Sequence, residues 1–249
     1  MLGMMRTGTS VVARILDLMG IYLGSEEDLL AANPENPSGF WEHREIIALN
    51  EALLLRLGGT WYEPPELMPG WEVDARIEDL REQGQELIRA KFAGRQQWGW
   101  KDPRTCLTLP FWQSLVPPVA HVICVRNPAE TAHSLDAMWW VRRRLDDPLE
   151  QGVELWFEYT RRALEHTHRR RRLLVFYEDL IADWRRESSR LASFVGRADA
   201  LASSELEQAI STFVQPELRH QVAESANQRS DAARLYCDLR RQVPPADSG

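Results

Sequence analysis

Cysteine is scarce: Cys106, Cys124 and Cys237 are the three in a chain of 249 residues. The number is odd, none begins a Cys-x-x-Cys pair, and the spacings fit no zinc module, so neither a disulfide framework nor a structural zinc site organises the fold. Long apolar runs are missing too. No stretch approaches the ~18 to 20 residues that a spanning helix needs, and the N-terminus lacks the basic-then-apolar order of a secretory signal. Nor is there an excess of positive charge. With 30 basic against 37 acidic residues and a net charge of −7, no global field favours nucleic acid or anionic lipid, and any anion site must be local. The expectation is a cytoplasmic protein in a reducing setting, with no membrane span and no nucleic-acid partner. What is present, 44% hydrophobic and 27% charged residues, suits a globular chain whose length fits a single domain, 1–249.

Periodicity supplies the elements. Met1 to Met5 is short and apolar, followed by the loop MRTGTS and an amphipathic helix from Val11 to Met19 that stops at Gly20. Residues 1–4 are few for a buried strand, which predicts a truncated first strand with the true start upstream. Ala31 to Trp41 is a Pro, Asn and Gly-rich loop of the kind that carries function. Helical spacing returns over Glu42 to Leu57 and, after an irregular stretch Gly58 to Gly70, over Val73 to Phe92. Trp98 to Lys101 and Val119 to Val125 read as strands, the second almost continuously apolar as if covered on both faces. Asn127, Pro128 and Glu130 then form a helix start, with Asn and Glu placed to satisfy free N–H groups. Helices follow over Ala129 to Arg143 and Leu149 to His168, then a strand Leu173 to Tyr177, then helices to about Arg241. The tail PPADSG, residues 244–249, is expected to fray. Alternating strands and helices predict an α/β fold, a P-loop-like three-layer α/β/α sandwich with a mainly parallel sheet, whose ligands gather beyond the carboxyl ends of the strands.

The informative residues lie at those ends. Gly3 to Ser10, GMMRTGTS, would wrap backbone N–H groups round an anion at a helix N-terminus. It nearly matches a Walker loop, but Thr9 stands where that loop has its lysine, and Arg6 supplies charge from within. A plain glycine turn before a helix reads the same way. Arg126 ends a strand, and Ser134 lies eight residues on, about two helical turns into the next helix, so both can face one anion. A salt-bridged arginine and a surface serine are the plain alternative.

Taken together, these stretches resemble the PAPS-dependent sulfotransferases, which move a sulfuryl group from 3′-phosphoadenosine 5′-phosphosulfate (PAPS) to an acceptor. GMMRTGTS resembles the family's 5′-phosphosulfate loop and VRNPAETAHSL its 3′-phosphate motif. WGWKDPR, Trp98 to Arg104, resembles the Lys-Asp-Pro element of tyrosylprotein and related bacterial sulfotransferases. FYEDLIADW, Phe176 to Trp184, resembles the Tyr-Glu-Asp-Leu element whose tyrosine borders the nucleotide. The likeness runs from Gly3 to about Arg219. It implies that Arg6, Thr7, Gly8, Thr9 and Ser10 hold the 5′ end, that Arg126 and Ser134 hold the 3′-phosphate, and that Tyr177 flanks the nucleotide. PAPS would be the co-substrate and 3′-phosphoadenosine 5′-phosphate (PAP) the product.

Transfer requires the acceptor hydroxyl to lose a proton and the bridging oxygen of the donor to be stabilised as it gains charge. Lys101 and Arg6 are expected at that oxygen. A sulfuryl group carries less negative charge than a phosphoryl group, so a Mg²⁺ clamp is dispensable, and no metal is expected. Glu42 is the preferred base, since GFWEHREI turns from loop to helix there and resembles the carboxylate-bearing acceptor-side segment of bacterial sulfotransferases. His43 and Glu45 are rivals, and Asp102 either orients Lys101 or serves as base itself. The acceptor is a hydroxyl on a glycan, lipid or small metabolite. Trp61, Trp71, Trp139 and Trp140 are either core or acceptor-pocket residues. His166 and His168 lie on different helix faces and fit the dipole of a helix end better than a metal site. A P-loop kinase or NTPase and a non-catalytic nucleotide-binding module are the alternatives.

Overall fold

Two parallel strands occupy the centre: β1 (His121–Val125) and β2 (Arg172–Phe176), paired in register from His121 opposite Arg172 to Val125 opposite Phe176. The structure is a computed structural model that describes residues 1–32, 39–214 and 230–243. All five β1 residues are buried, His121 included, as the almost continuous apolar run predicts. Alternation along the strands sends Ile123, Val125, Leu174 and Phe176 into one apolar cluster, and Val122, Cys124 and Val175 into another. Helices α4 (Thr105–Leu115), α5 (Pro128–Asp136), α7 (Pro148–His166) and α11 (Asp231–Gln242) supply the first cluster. Helices α1 (Thr9–Leu18), α9 (Trp184–Val195) and α10 (Ser204–Phe213) supply the second. The sheet is therefore sandwiched between helical layers, as expected.

The sheet is narrower than the sequence suggests. Leu2 forms a single parallel bridge to Ile123, with Leu2 N donating to Val122 O and Cys124 N to Leu2 O. Trp98 to Lys101 is not a strand but makes one parallel bridge, Trp98 with Tyr22, while Trp100 O accepts from Met1 N. Tryptophans 98 and 100 are held mainly by rings: Phe92 stacks on Trp98 at 4.7 Å, and Trp112 lies 5.0 Å from Trp100. Their apolar character reports burial in a third cluster with α2 (Arg44–Arg56) and α3 (Glu78–Phe92), which is why they resemble a strand in sequence.

Helix α7 shows how pattern becomes packing. Gly152, Leu155, Trp156, Tyr159, Thr160 and Ala163 are buried at spacings of three and four, one face of a helix capped by Asp147 with Pro148 in its first turn. Gly152 lets α7 approach α5 closely: a Cβ there would lie 3.1 Å from Ala132 Cα. Two boundaries differ from expectation. The span Val73 to Phe92 opens with two 3₁₀ turns before α3, because Asp74 accepts from Arg76 N and starts a new turn. The span Ala129 to Arg143 breaks after α5 at the extended Met138 and resumes as α6 (Trp139–Arg142), redirecting Trp139 and Trp140. Tyr177 opens α8 (Tyr177–Ala182) rather than closing β2. Residues 33–38 of the expected loop and the tail 244–249 lie outside the described residues.

Candidate active site

Beyond the carboxyl end of β1, the loop from Gly3 to Gly8 turns back sharply. Thr7 donates through its hydroxyl to Met4 O at 2.6 Å. Arg6 has φ 70 and Gly8 φ 86, and a left-handed conformation at arginine is costly unless the surroundings fix it. Gly8 has a second constraint, since a Cβ there would lie 2.5 Å from the Tyr177 ring. Gly3 is similar: its Cβ would meet Cys124 O at 2.7 Å. Helix α1 then begins with no side-chain cap and no acidic residue in its first turn, so its positive end faces the loop.

The second motif meets this loop directly. Arg6 Nε donates to Ser134 Oγ at 2.9 Å, and Arg126 Nη1 donates to Arg6 O at 3.4 Å. Arg126 is buried, pairs with Glu130 at 3.2 Å, and lies 4.7 Å from the centre of the Tyr177 ring. Arg6, Ser134, Arg126, Gly8 and Tyr177 thus form one connected group, although 171 positions separate its ends. Asn127 caps α5 through Ala129 N and Glu130 N, as its position predicts. Glu130 does not return the favour: it turns to Arg126, and Glu178 Oε1 accepts from Asn127 N at 2.7 Å instead.

On the other side of α1, Lys101 Nζ lies 2.5 Å from Glu42 Oε1, 2.9 Å from Phe40 O and 3.3 Å from Ser10 Oγ. The lysine that the loop lacks at Thr9 arrives from a distant segment. Lys101 and Glu42 are both buried, and they line a cavity of about 420 Å³ together with Arg6, Thr9 and Ser10.

Among the rivals for the base, none shares that wall. His43 is fully buried behind Glu42, against Phe92 and 3.9 Å from Asp28, and burial pushes its imidazole below its usual value. Glu45 is paired with Lys91. Asp102 is the counter-ion of Arg104, not of Lys101, and accepts from Asn50 Nδ2 at 2.8 Å. Asp28, His43 and Glu45 bring potential metal-ligand atoms within 4.8 Å of one another, a grouping the sequence did not suggest. Lys91 lies between the two carboxylates, 2.7 Å from Asp28 and 3.1 Å from Glu45. Of the tryptophans, Trp71 is core, Trp61 is buried against Trp140, and Trp139 and Trp140 line the cavity.

Phe40 O and Glu178 were not singled out by sequence, and Glu130 was expected only as a helix-start residue, not as the partner of Arg126. Phe40 contributes a carbonyl, which no residue type signals. Glu130 and Glu178 do sit inside recognisable motifs: Glu130 is buried against Arg126, and the half-buried Glu178 accepts from Asn127 N.

An α/β sandwich with a glycine-rich turn, a helix N-terminus and converging cations at the strand ends is an arrangement able to hold an anionic group. The sequence matches the model of the sulfotransferase family over residues 1–200, and the chain belongs to that family. The sulfotransferase domain of the Synechococcus PCC 7002 olefin synthase has a similar fold, with a TM-score of 0.57 at 19% identity over 96% of this chain and 92% of that one. No curated protein matches the chain significantly. Among the described residues, no helix is long and apolar enough to cross a membrane.

Proposed function

We propose that the chain, acting as one domain over 1–249, transfers a sulfuryl group from PAPS to an acceptor hydroxyl. The observation that carries this reading is the hydrogen bond from Arg6 to Ser134, with Arg126 on the Arg6 carbonyl, which joins the two anion motifs into one cradle. Family membership supports the reaction class. Thr7, Gly8, Thr9 and Ser10, at the positive end of α1, suit the 5′ end of the donor, and Arg126 and Ser134 suit its 3′-phosphate. Tyr177 walls the nucleotide.

In the reaction, the acceptor oxygen forms its bond to sulfur as the bond from sulfur to the bridging donor oxygen breaks in line. Glu42 takes the hydroxyl proton, while Lys101 and Arg6 stabilise the leaving oxygen. Glu42 and Lys101 are held together until the acceptor enters, so each is positioned by the other. No step is assigned to a metal, and turnover is expected to be insensitive to EDTA.

Calorimetry with PAP tests the donor site. PAP is expected to bind more tightly than ATP, and Arg126→Ala is expected to weaken PAP by about 10 to 150-fold, the loss of a charge-assisted hydrogen bond. Adenosine 5′-phosphosulfate, which lacks the 3′ group, should weaken far less. Equal losses for the two ligands would remove Arg126 from the 3′ site, and tighter binding of ATP would favour a kinase or NTPase.

A further inference from the structure

Beyond Lys101 and Glu42, the cavity changes character. Apart from Arg6, Thr9, Ser10 and Arg104, the rest of its lining is Met5, Leu30, Phe40, Pro103, Met138, Trp139 and Trp140. None of these side chains carries a carboxylate, amide, hydroxyl or charge, and the two indole N–H groups are their only polar atoms. Trp140 is a fixed surface: Trp61 packs edge-on against it at 5.5 Å, and Tyr159 donates to Trp61 O at 2.8 Å. Trp139 projects at the rim, 64% exposed. Arg104 also lines the cavity, but its charge is met by Asp102 at 3.0 Å and Glu51 at 2.8 Å.

We propose that the acceptor is a neutral alcohol or phenol with an apolar body, its hydroxyl at Glu42 and its body against Trp139, Trp140 and Met138. This rests on the sulfotransfer reading above and names the acceptor class for that site. A sugar ring would bring several hydroxyls to a wall with almost nothing to pair them, and each buried unpaired polar group is unfavourable. An alkyl or aryl body meets the wall with its own chemistry. A cavity of about 420 Å³ lies in the size range of small-molecule sites, roughly 300 to 1,000 Å³. A carboxylated acceptor would find Lys101 and Arg104 already paired with Glu42, Asp102 and Glu51, while Arg6 is directed to Ser134 on the donor side.

The test is binding of 1-butanol, 1-hexanol, 1-octanol, 4-propylphenol and methyl β-glucoside to the full chain, read by tryptophan fluorescence and calorimetry with and without saturating PAP. The dissociation constants of the alcohols should fall about fourfold per added methylene until the cavity is filled, and the glucoside should bind at least about 100-fold more weakly than octanol. Trp139→Ala, at an exposed position whose loss leaves the core intact, should weaken octanol about tenfold or more without changing PAP affinity. Trp140→Leu should do the same. Glucoside binding as tightly as octanol, no dependence on chain length, or no effect of Trp139→Ala would each overturn the acceptor class. Failure of PAP to bind while the alcohols still do would overturn the donor site and leave the apolar wall standing.

Discussion

Lys101 Nζ and Glu42 Oε1 are 2.5 Å apart in a buried pair that closes one wall of the cavity. Removing one partner of such a pair leaves an uncompensated charge out of water, whereas removing both does not. Lys101→Met is therefore expected to destabilise the fold by about 3–5 kcal/mol, and adding Glu42→Leu to recover much of that loss. Urea unfolding of the two single variants and the double variant measures the coupling. Additive losses would mean that the pair is not held in solution.

The same pair predicts a split in function. Glu42→Gln keeps the shape of the side chain and removes its basicity. Turnover should drop by about 10² to 10⁴-fold, as expected for loss of a general base, while PAP affinity is retained. A variant that turns over at the parental rate with a PAPS donor would pass the base role to another group.

Two glycines in left-handed turns separate strain from contact. Gly8 and Gly58 both have φ 86, but a Cβ at Gly58 meets nothing within 4 Å, whereas at Gly8 it strikes Tyr177. Gly58→Ala should cost about 1 kcal/mol or slightly more and leave PAP binding alone. Gly8→Ala should abolish PAP binding, because the loop and the tyrosine wall cannot both keep their places. Thermal shift with and without PAP distinguishes the two, and equal behaviour would contradict the close approach.

Acid should weaken the fold well above the carboxylate range. His121 is buried at the start of β1, neither ring nitrogen has a hydrogen-bond partner among the described residues, and burial lowers its imidazole to about 4. A histidine whose folded value lies below its unfolded value contributes full stability above about 6.5 and loses it as pH falls toward 4, up to about 3 kcal/mol. His121→Phe should flatten the decline in urea midpoint between pH 7 and pH 5. An unchanged slope would place its source elsewhere, for example at His43 or His166, which burial also pushes down.

Thiol chemistry should reveal one site. Cys106 and Cys124 are buried, and burial pushes both up to about 12, whereas Cys237 is exposed on α11. Ellman's reagent should modify one thiol per native chain quickly and all three on unfolding. Two fast thiols would show that the core around Gly3, whose N–H donates to Cys106 Sγ, opens readily.

Much of this architecture is legible in the sequence because its signals are local. The apolar run of β1, the Asn-Pro start of α5, the Asp-Pro start of α7 and the glycine that ends α1 each act within a few residues. The two motifs meet in space and are legible for the same reason: Arg6 to Ser10 and Arg126 to Ser134 are short, the first just after the Leu2 bridge and the second just after β1. What the sequence hides is pairing over distance. Glu130 sits at a capping position but turns to Arg126, Asp102 follows Lys101 but serves Arg104, and Trp98 to Lys101 has a strand's composition but ring contacts in place of a ladder. The break at Met138, which carries Trp139 and Trp140 to the cavity, has no glycine or proline to announce it.

The segment that feeds the anion loop is joined to the central strand at Leu2 by the amides of Leu2 and Cys124. Leu2 and Met4 are also buried in the cluster that holds Ile123 and Val125, and Gly3 N donates to Cys106 Sγ, so the loop that follows is anchored in the core and lets go only with it. Deuterium uptake at the amides of Leu2 and Cys124 would then keep pace with that at Ile123 and Val175, so the first few residues of the chain report on the integrity of the whole interior.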